Sequence, residues 1–168
     1  MQKYVFRKYN PKYQAFFVSE KKKIAKALGS TAKVEHVGST AVSGLGGKGI
    51  LDIVVGVSKL KFVEAKKKLE KAGYEFREEA SYLERLFFRI DYPYQNRKRR
   101  IHIHLTKLNG QNWKEMVAFR DYLLKHPNTV EQYIKIKREG AKKALGDGEK
   151  YRKYKEKFIE NILRKALK

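Results

Sequence analysis

The stretch from His36 to Val57 (His-Val-Gly-Ser-Thr-Ala-Val-Ser-Gly-Leu-Gly-Gly-Lys-Gly-Ile-Leu-Asp-Ile-Val-Val-Gly-Val) constrains this chain more than any other. It reads as a strand, a glycine-rich connection and a second apolar strand that carries one acid. Glycines let backbone come close to a ligand, and free amides beside Ser39 and Thr40 suit phosphate oxygens. Asp52 lies in an otherwise apolar run, where burial is costly unless the carboxylate faces a polar site, a metal or a cation. Such an arrangement is expected where a nucleotide's phosphates meet a metal. A plain tight turn between two strands also accounts for the glycines.

Length and composition set the frame. At 168 residues, 42% of them apolar, the chain is long enough for one domain, 1–168, with a substantial core. No apolar run reaches membrane-spanning length, and Met1-Gln2-Lys3-Tyr4-Val5-Phe6-Arg7 lacks a signal-peptide core. The absence of Cys excludes disulfides and thiolate metal sites and fits a cytoplasmic protein. A net charge of +22 attracts polyanions, nucleic acid and nucleotides among them, in a salt-dependent way. A Lys-rich surface shaped by growth temperature or genome bias explains the same charge. Lys outnumbers Arg, the better residue for shaped phosphate recognition, and the charge is spread over every helix.

Punctuation along the chain predicts its elements. Asn10-Pro11 starts a helix that carries Tyr13, Phe17, Ile24 and Leu28 at helical spacing and stops at Gly29. Lys33–Val37 and Ile50–Val57 read as strands, with Ile50, Asp52 and Val54 on one face. Phe62, Ala65, Leu69 and Ala72 line the next helix, stopped by Gly73. Strands follow at 74–77 and 83–92, then a turn at Pro93 and Gln95–Lys98, then a strand at 100–106. From Trp113 the chain reads as helical: one helix to Lys125, a second capped by Asn128 and running toward Leu145, and a third after Gly146-Asp147-Gly148. Sheet first and helices afterwards indicates an α+β domain.

Several of these residues carry a family resemblance. Gly38-Ser39-Thr40-Ala41-Val42, Gly44-Leu45, Lys48 and Asp52-Ile53 resemble the signature of the GrpB family, a nucleotidyltransferase-like group. His102-Ile103-His104, Phe119-Arg120-Asp121-Tyr122-Leu123, His126-Pro127, Tyr133 with Lys137, Tyr154-Lys155 and Phe158-Ile159 continue the match in order over nearly the whole chain. Ser43 and Gly49 stand where the family is expected to carry Pro, which loosens the loop without removing its amides. The resemblance implies a nucleotidyltransferase-like mixed β-sheet flanked by helices, with the C-terminal helices packed on it. It implies transfer of a nucleotidyl group from a nucleoside triphosphate to an acceptor, with a divalent metal. The alternatives are a catalytically degenerate nucleotide- or phosphate-binding module, or a basic RNA- or protein-interaction protein. Fusions of GrpB-like domains to dephospho-coenzyme A kinases point toward coenzyme metabolism.

The implied site can be placed residue by residue. Gly38-Ser39 matches the Gly-Ser of the nucleotidyltransferase fold. Asp52 falls at the second acid of its Asp-x-Asp pair, and Ile50 replaces the first. One carboxylate is a poor scaffold for two Mg²⁺ ions. His102 and His104, on one strand face, would join Asp52 as catalytic and metal-binding residues. That donor set suits Mn²⁺, Zn²⁺ or Ni²⁺ better than Mg²⁺. A polar sheet face with hydrogen-bonded imidazoles is the alternative. Gly38, Ser39, Thr40, Lys48 and Arg120 are the candidate nucleotide- and phosphate-binding residues. Ser39 and Thr40 also suit caps of a helix beginning after Gly38, Lys48 a solvated surface, and Arg120 with Asp121 an anchor between helix and sheet. His36 reads as structural and Trp113 as core; Arg89 and Asp91 share a strand face and either line the same cleft or, more simply, form a cross-strand ion pair. Tyr133, Lys137, Tyr151 and Tyr154 read as packing positions with polar ends at the surface. The expected partner is a nucleotide or a phosphorylated small molecule, with nucleic acid drawn by the net charge and no membrane.

Overall fold

The computed structural model describes residues 6–168. Met1–Val5, which begin the stretch read above for a signal peptide, lie outside the described residues. Helix α1 (Lys12–Leu28) starts as Asn10-Pro11 predicts: the Asn10 side-chain oxygen accepts the Lys12 amide at 3.0 Å. Gly29 ends it at φ 84°. Tyr13, Ile24 and Leu28 are buried as the periodicity requires, and Glu20 is buried with them. Its carboxylate accepts hydrogen bonds from the Tyr74 and Tyr92 hydroxyls, which replace the lost water.

Among the described residues the strands are β1 (Lys33–Val37), β2 (Leu51–Val57), β3 (Glu75–Phe76), β4 (Arg85–Tyr94) and β5 (Arg97–Lys107). They lie in the order β1-β2-β5-β4-β3, with β2 and β5 parallel and every other pair antiparallel. The sheet is therefore mixed. On one face Leu51, Ile53, Val55, Ile101, Ile103, Leu105 and Phe88 form the main core, with α1 and helix α2 (Phe62–Lys71) above it. On the other face Val37 and Val54 pack against Trp113 of helix α3 (Gln111–Lys125). Gly56 makes that approach feasible: a Cβ there would lie 2.8 Å from both Trp113 and Leu108.

Helices α4 (Pro127–Ala144) and α5 (Gly148–Ala166) complete the chain. They pack onto the glycine-rich connection. Val42 and Leu45 from that connection are buried with Leu123, Val130 and Tyr133, and Phe119 and Phe158 close the cluster. Burial of each such aliphatic side chain is worth about 1.5–3 kcal/mol, so the loop is docked and not free to wander. No helix among the described residues is long and apolar enough to cross a membrane.

Two local expectations are corrected. Pro93 does not end β4; it pairs with Lys98, and the hairpin turns at Gln95-Asn96, with Gln95 at φ 52°. Beyond Arg89 the outer side of β4 has no partner in β3, so a missing amide there interrupts no ladder. Asn128 does not cap α4 either. Pro127 takes the first helical position and His126 precedes it, since proline's fixed φ already starts the helix. The cap of α5 is Asp147, whose carboxylate accepts the Glu149 and Lys150 amides.

Candidate functional site

The site is built where β1 leaves the sheet. Gly38 adopts φ 73°, ψ −171°, a conformation open essentially to glycine. It lies so close to Asp52 that a Cβ would stand 2.7 Å from the carboxylate oxygen Oδ2. Register explains the meeting: Val37 pairs with Asp52 across β1 and β2, and Asp52 pairs with His102 across β2 and β5. Ser39–Ala41 then form one short 3-10 turn, closed by the Ala41 and Val42 amides.

Asp52, His102 and His104 are brought together as anticipated. His104 Nε2 lies 3.2 Å and His102 Nδ1 3.5 Å from the same Asp52 oxygen, Oδ1. Burial raises the Asp52 carboxyl, but hydrogen bonds and attraction from His102 and His104 outweigh it and hold the group well below the usual carboxylate range. Burial pushes His104 down, against the pull of Asp52. A neutral His104 donates through Nε2 to Asp52, while its buried Nδ1 has no hydrogen-bond partner among the described residues. Phe87 of β4 sets its ring edge-on to both imidazoles, with centroids at 4.7 and 5.3 Å.

The donor chemistry of this trio, one carboxylate and two imidazoles, is that of a metal site. Both imidazoles, however, address one carboxylate oxygen. Among the described residues no three His, Asp or Glu side chains are grouped so as to hold a metal. As it stands the trio is a hydrogen-bonded set, and Ile50, half-buried just before β2, adds no second acid.

Three lysines surround Asp52 from other elements. Lys137 of α4 is only 5% exposed, and its ammonium donates to the Gly46 carbonyl at 2.8 Å. Lys137 Nζ and Ser39 Oγ crowd the same face of Gly47, each 2.6 Å from where a Cβ would sit. Lys48 at the loop's exit and Lys155 of α5 share the ring of buried Tyr151, at 4.8 and 4.2 Å from its centroid. Burial is the largest cause that lowers all three, Lys137 to about 7 and Lys48 and Lys155 to about 8; Lys155 adds repulsion at Lys137 and Lys48, Arg152 adds it at Lys48 and Lys155, and Asp52 pulls the other way.

The remaining candidates lie elsewhere. The Thr40 hydroxyl is paired with His36 Nε2 at 2.8 Å, and His36 stacks on Phe17, a structural placement. Burial pushes His36 down to about 4. Arg120 donates to Glu35, Asp121 and the His36 carbonyl, so its guanidinium ties α3 to β1. Arg89 and Asp91 form cross-strand ion pairs, with Glu75 and Arg100 respectively.

Lys137 and Lys155 are what the residue-level reading missed. Lys137 falls on the buried stripe Val130, Tyr133, Lys137, Gly140, Ala144, and a lysine on an apolar stripe was the available signal. Its polar end is not at the surface.

The sequence model of the family described as "GrpB protein" matches residues 4–165. The chain belongs to the GrpB family. Its GrpB relatives include the "Glutamate-rich protein GrpB" of Alkalihalophilus pseudofirmus, 30% identical over 154 residues, with 90% of this chain and 88% of that protein covered. A UPF0157 protein of Pseudomonas aeruginosa is 32% identical over 163 residues, 94% of this chain and 65% of that one. The crystal structure of GrpB from Enterococcus faecalis superposes with a TM-score of 0.81 at 28% identity, covering 97% of each chain. A cytoplasmic RNA terminal U-transferase shares the fold at a TM-score of 0.53 and 15% identity, over 80% of this chain and 42% of that one. The sheet of this chain and its flanking helices thus share their fold with that transferase.

Proposed function

We propose that this GrpB protein binds a nucleotide by its phosphates where the Gly38-Ser39 turn, the Asp52 end of β2 and helices α4 and α5 come together. The observation that carries the reading is the approach of Gly38 to Asp52, which only glycine permits, with Ser39 next along the chain and beside Lys137 at Gly47. A cytoplasmic setting, rich in nucleoside triphosphates, suits it. The geometry favours binding over transfer, because Ile50 leaves one acid and that acid is engaged by two imidazoles.

Nucleotidyl transfer to a hydroxyl or phosphate acceptor is the second reading, favoured by the chemistry of the donor trio. Asp52, His102 and His104 are the residues that would meet a Mn²⁺ or Mg²⁺ ion delivered with the nucleotide. Such an ion would neutralise phosphate charge.

Calorimetric titration of ATP, GTP, CTP and UTP with and without Mn²⁺, at raised salt to screen the +22 field, tests both. On the binding reading, Asp52→Asn strengthens metal-free ATP binding, since it removes a negative charge beside three lysines. On the transfer reading, binding needs Mn²⁺ and Asp52→Asn abolishes it. Absence of saturable binding of every nucleotide in either condition refutes both and leaves the basic interaction protein.

A further inference from the structure

We infer that the outer end of the β4–β5 hairpin, together with Arg7, is a docking surface for single-stranded nucleic acid. It is separate from the nucleotide site. Arg97 and Arg99 alternate with Lys98, Arg100 and His102, so they lie on the sheet face opposite to the one from which His102 meets Asp52. Arginine is the scarcer cation in this chain, yet Arg97, Arg99 and Arg100 fall within four residues. Arg100 is held by Asp91 through hydrogen bonds of 2.8 and 3.0 Å. Among the described residues no acid pairs with Arg7, Arg97, Lys98 or Arg99. The sequence explains why: neither of the segments that meet here, 6–19 and 92–114, contains an Asp or a Glu.

Aromatic rings stand where acids would. The Arg99 guanidinium lies 4.2 Å from the ring centroid of Phe16, 5.2 Å from that of Tyr92 and 6.0 Å from that of Tyr94. Its buried Nε makes no hydrogen bond among the described residues, so the rings hold it without neutralising it. Arg97 lies 5.7 Å from the Tyr94 centroid. Phe16 meets Tyr94 edge-on at 5.4 Å and Tyr13 at 5.8 Å, and the Tyr13 hydroxyl meets Arg7 over Gly49. Rings and guanidinium groups thus form one strip from Arg7 to Arg97, with Phe16, Tyr92 and Tyr94 only half-buried. Cations for phosphates beside flat π faces for bases are what an unpaired strand requires. A duplex hides its base faces and an acidic peptide has none, so neither would use the rings. The turn Gln95-Asn96 is exposed and polar, so the hairpin has no apolar tip to enter a bilayer.

The test is fluorescence anisotropy over a salt series with short labelled oligo(U), oligo(A) and a duplex of equal length. Three variants of the full chain are compared with wild type, each shown by thermal melting to be folded. Arg97→Gln with Lys98→Gln removes two exposed cations, so this variant keeps the test alive if Tyr94→Leu, which removes a ring, unfolds. Lys33→Gln with Lys59→Gln removes the same charge from the opposite end of the sheet, where Lys33 pairs with Gly56 and Lys59 follows β2. The expected result is single-strand binding that falls about 10-fold or more in the Arg97/Lys98 variant, with a salt slope shallower by about 1.4 for two lost phosphate contacts. Tyr94→Leu should weaken it about 5- to 100-fold at unchanged slope, and the Lys33/Lys59 variant should stay within about 2-fold of wild type. No binding of either oligonucleotide, a duplex bound as tightly as the single strands, or equal losses in the Arg97/Lys98 and Lys33/Lys59 variants would overturn the inference. So would phosphatidylglycerol vesicles or polyglutamate whose binding falls in the hairpin variants while oligonucleotide binding does not.

Discussion

Replacing Gly38 by alanine should cost about twice what the same replacement costs at Gly29. The two glycines share a backbone conformation: φ 73°, ψ −171° at Gly38 and φ 84°, ψ 178° at Gly29. In that region an L-residue costs of order 1–3 kcal/mol. Their surroundings differ. A Cβ on Gly29 meets nothing within 4 Å, whereas on Gly38 it meets Asp52 Oδ2 at 2.7 Å and Asp52 Cβ at 2.9 Å. Asp52 cannot swing aside cheaply, because its carboxylate is held by His102 and His104. Overpacking of this kind adds about 1–3 kcal/mol. For a chain of this size each kcal/mol moves Tm by about 2–4 °C. Scanning calorimetry of Gly29→Ala and Gly38→Ala, at one protein concentration and pH, reads the difference directly. Gly29→Ala isolates the backbone term, and the excess loss in Gly38→Ala isolates the contact with Asp52. Equal losses in Tm would refute the close approach on which the site is built.

Other outcomes follow from the same contacts. Lys137 titrates near 7 when folded and about 10.4 when unfolded, so the unfolded chain binds more protons between those values. Stability then rises with pH through that window, in the same sense as for Lys48 and Lys155 and against the pull of Asp52. Lys137→Met should flatten the rise, its Tm comparing best with wild type at about pH 6 and losing ground toward about pH 10; parallel curves would refute the assignment. Tyr74→Phe removes a buried hydrogen bond to Glu20 and should cost about 1.5–3 kcal/mol in urea denaturation at unchanged m. Arg120→Met should lower stability by about 1–2 kcal/mol and leave ATP affinity unaltered, since its partners are Glu35, Asp121 and the His36 carbonyl. Lost ATP affinity at unchanged Tm would instead put Arg120 in the site.

Much of this fold is written in short-range signals. Asn10-Pro11, Gly29, Gly73 and the alternation in 50–57 act through backbone geometry and nearest neighbours, and each element they mark exists. The trio was legible for the same reason, since alternation alone sets His102 and His104 on one face and register with β2 brings Asp52 to them. Pro93 and Asn128 misled because a local preference was outweighed, by an unpaired strand edge in one case and by a neighbouring proline in the other.

The lysine cluster was hidden for a different reason. Helical spacing shows that Lys137 faces inward, but not what waits there. The answer depends on Val42 and Leu45, whose burial against α3, α4 and α5 carries Gly46 and Gly47 to the Lys137 ammonium. Lys155 had no stripe to betray it, lying half-exposed on α5 among many lysines. In a chain of net charge +22, composition disguises the few lysines that matter, because each looks like its neighbours until packing separates the buried from the solvated. The informative quantity is therefore not how many cations the chain carries but which of them it desolvates beside Asp52. Those are the lysines whose removal should alter binding of a nucleotide's phosphates, while removal of the solvated lysines should alter only the dependence on salt.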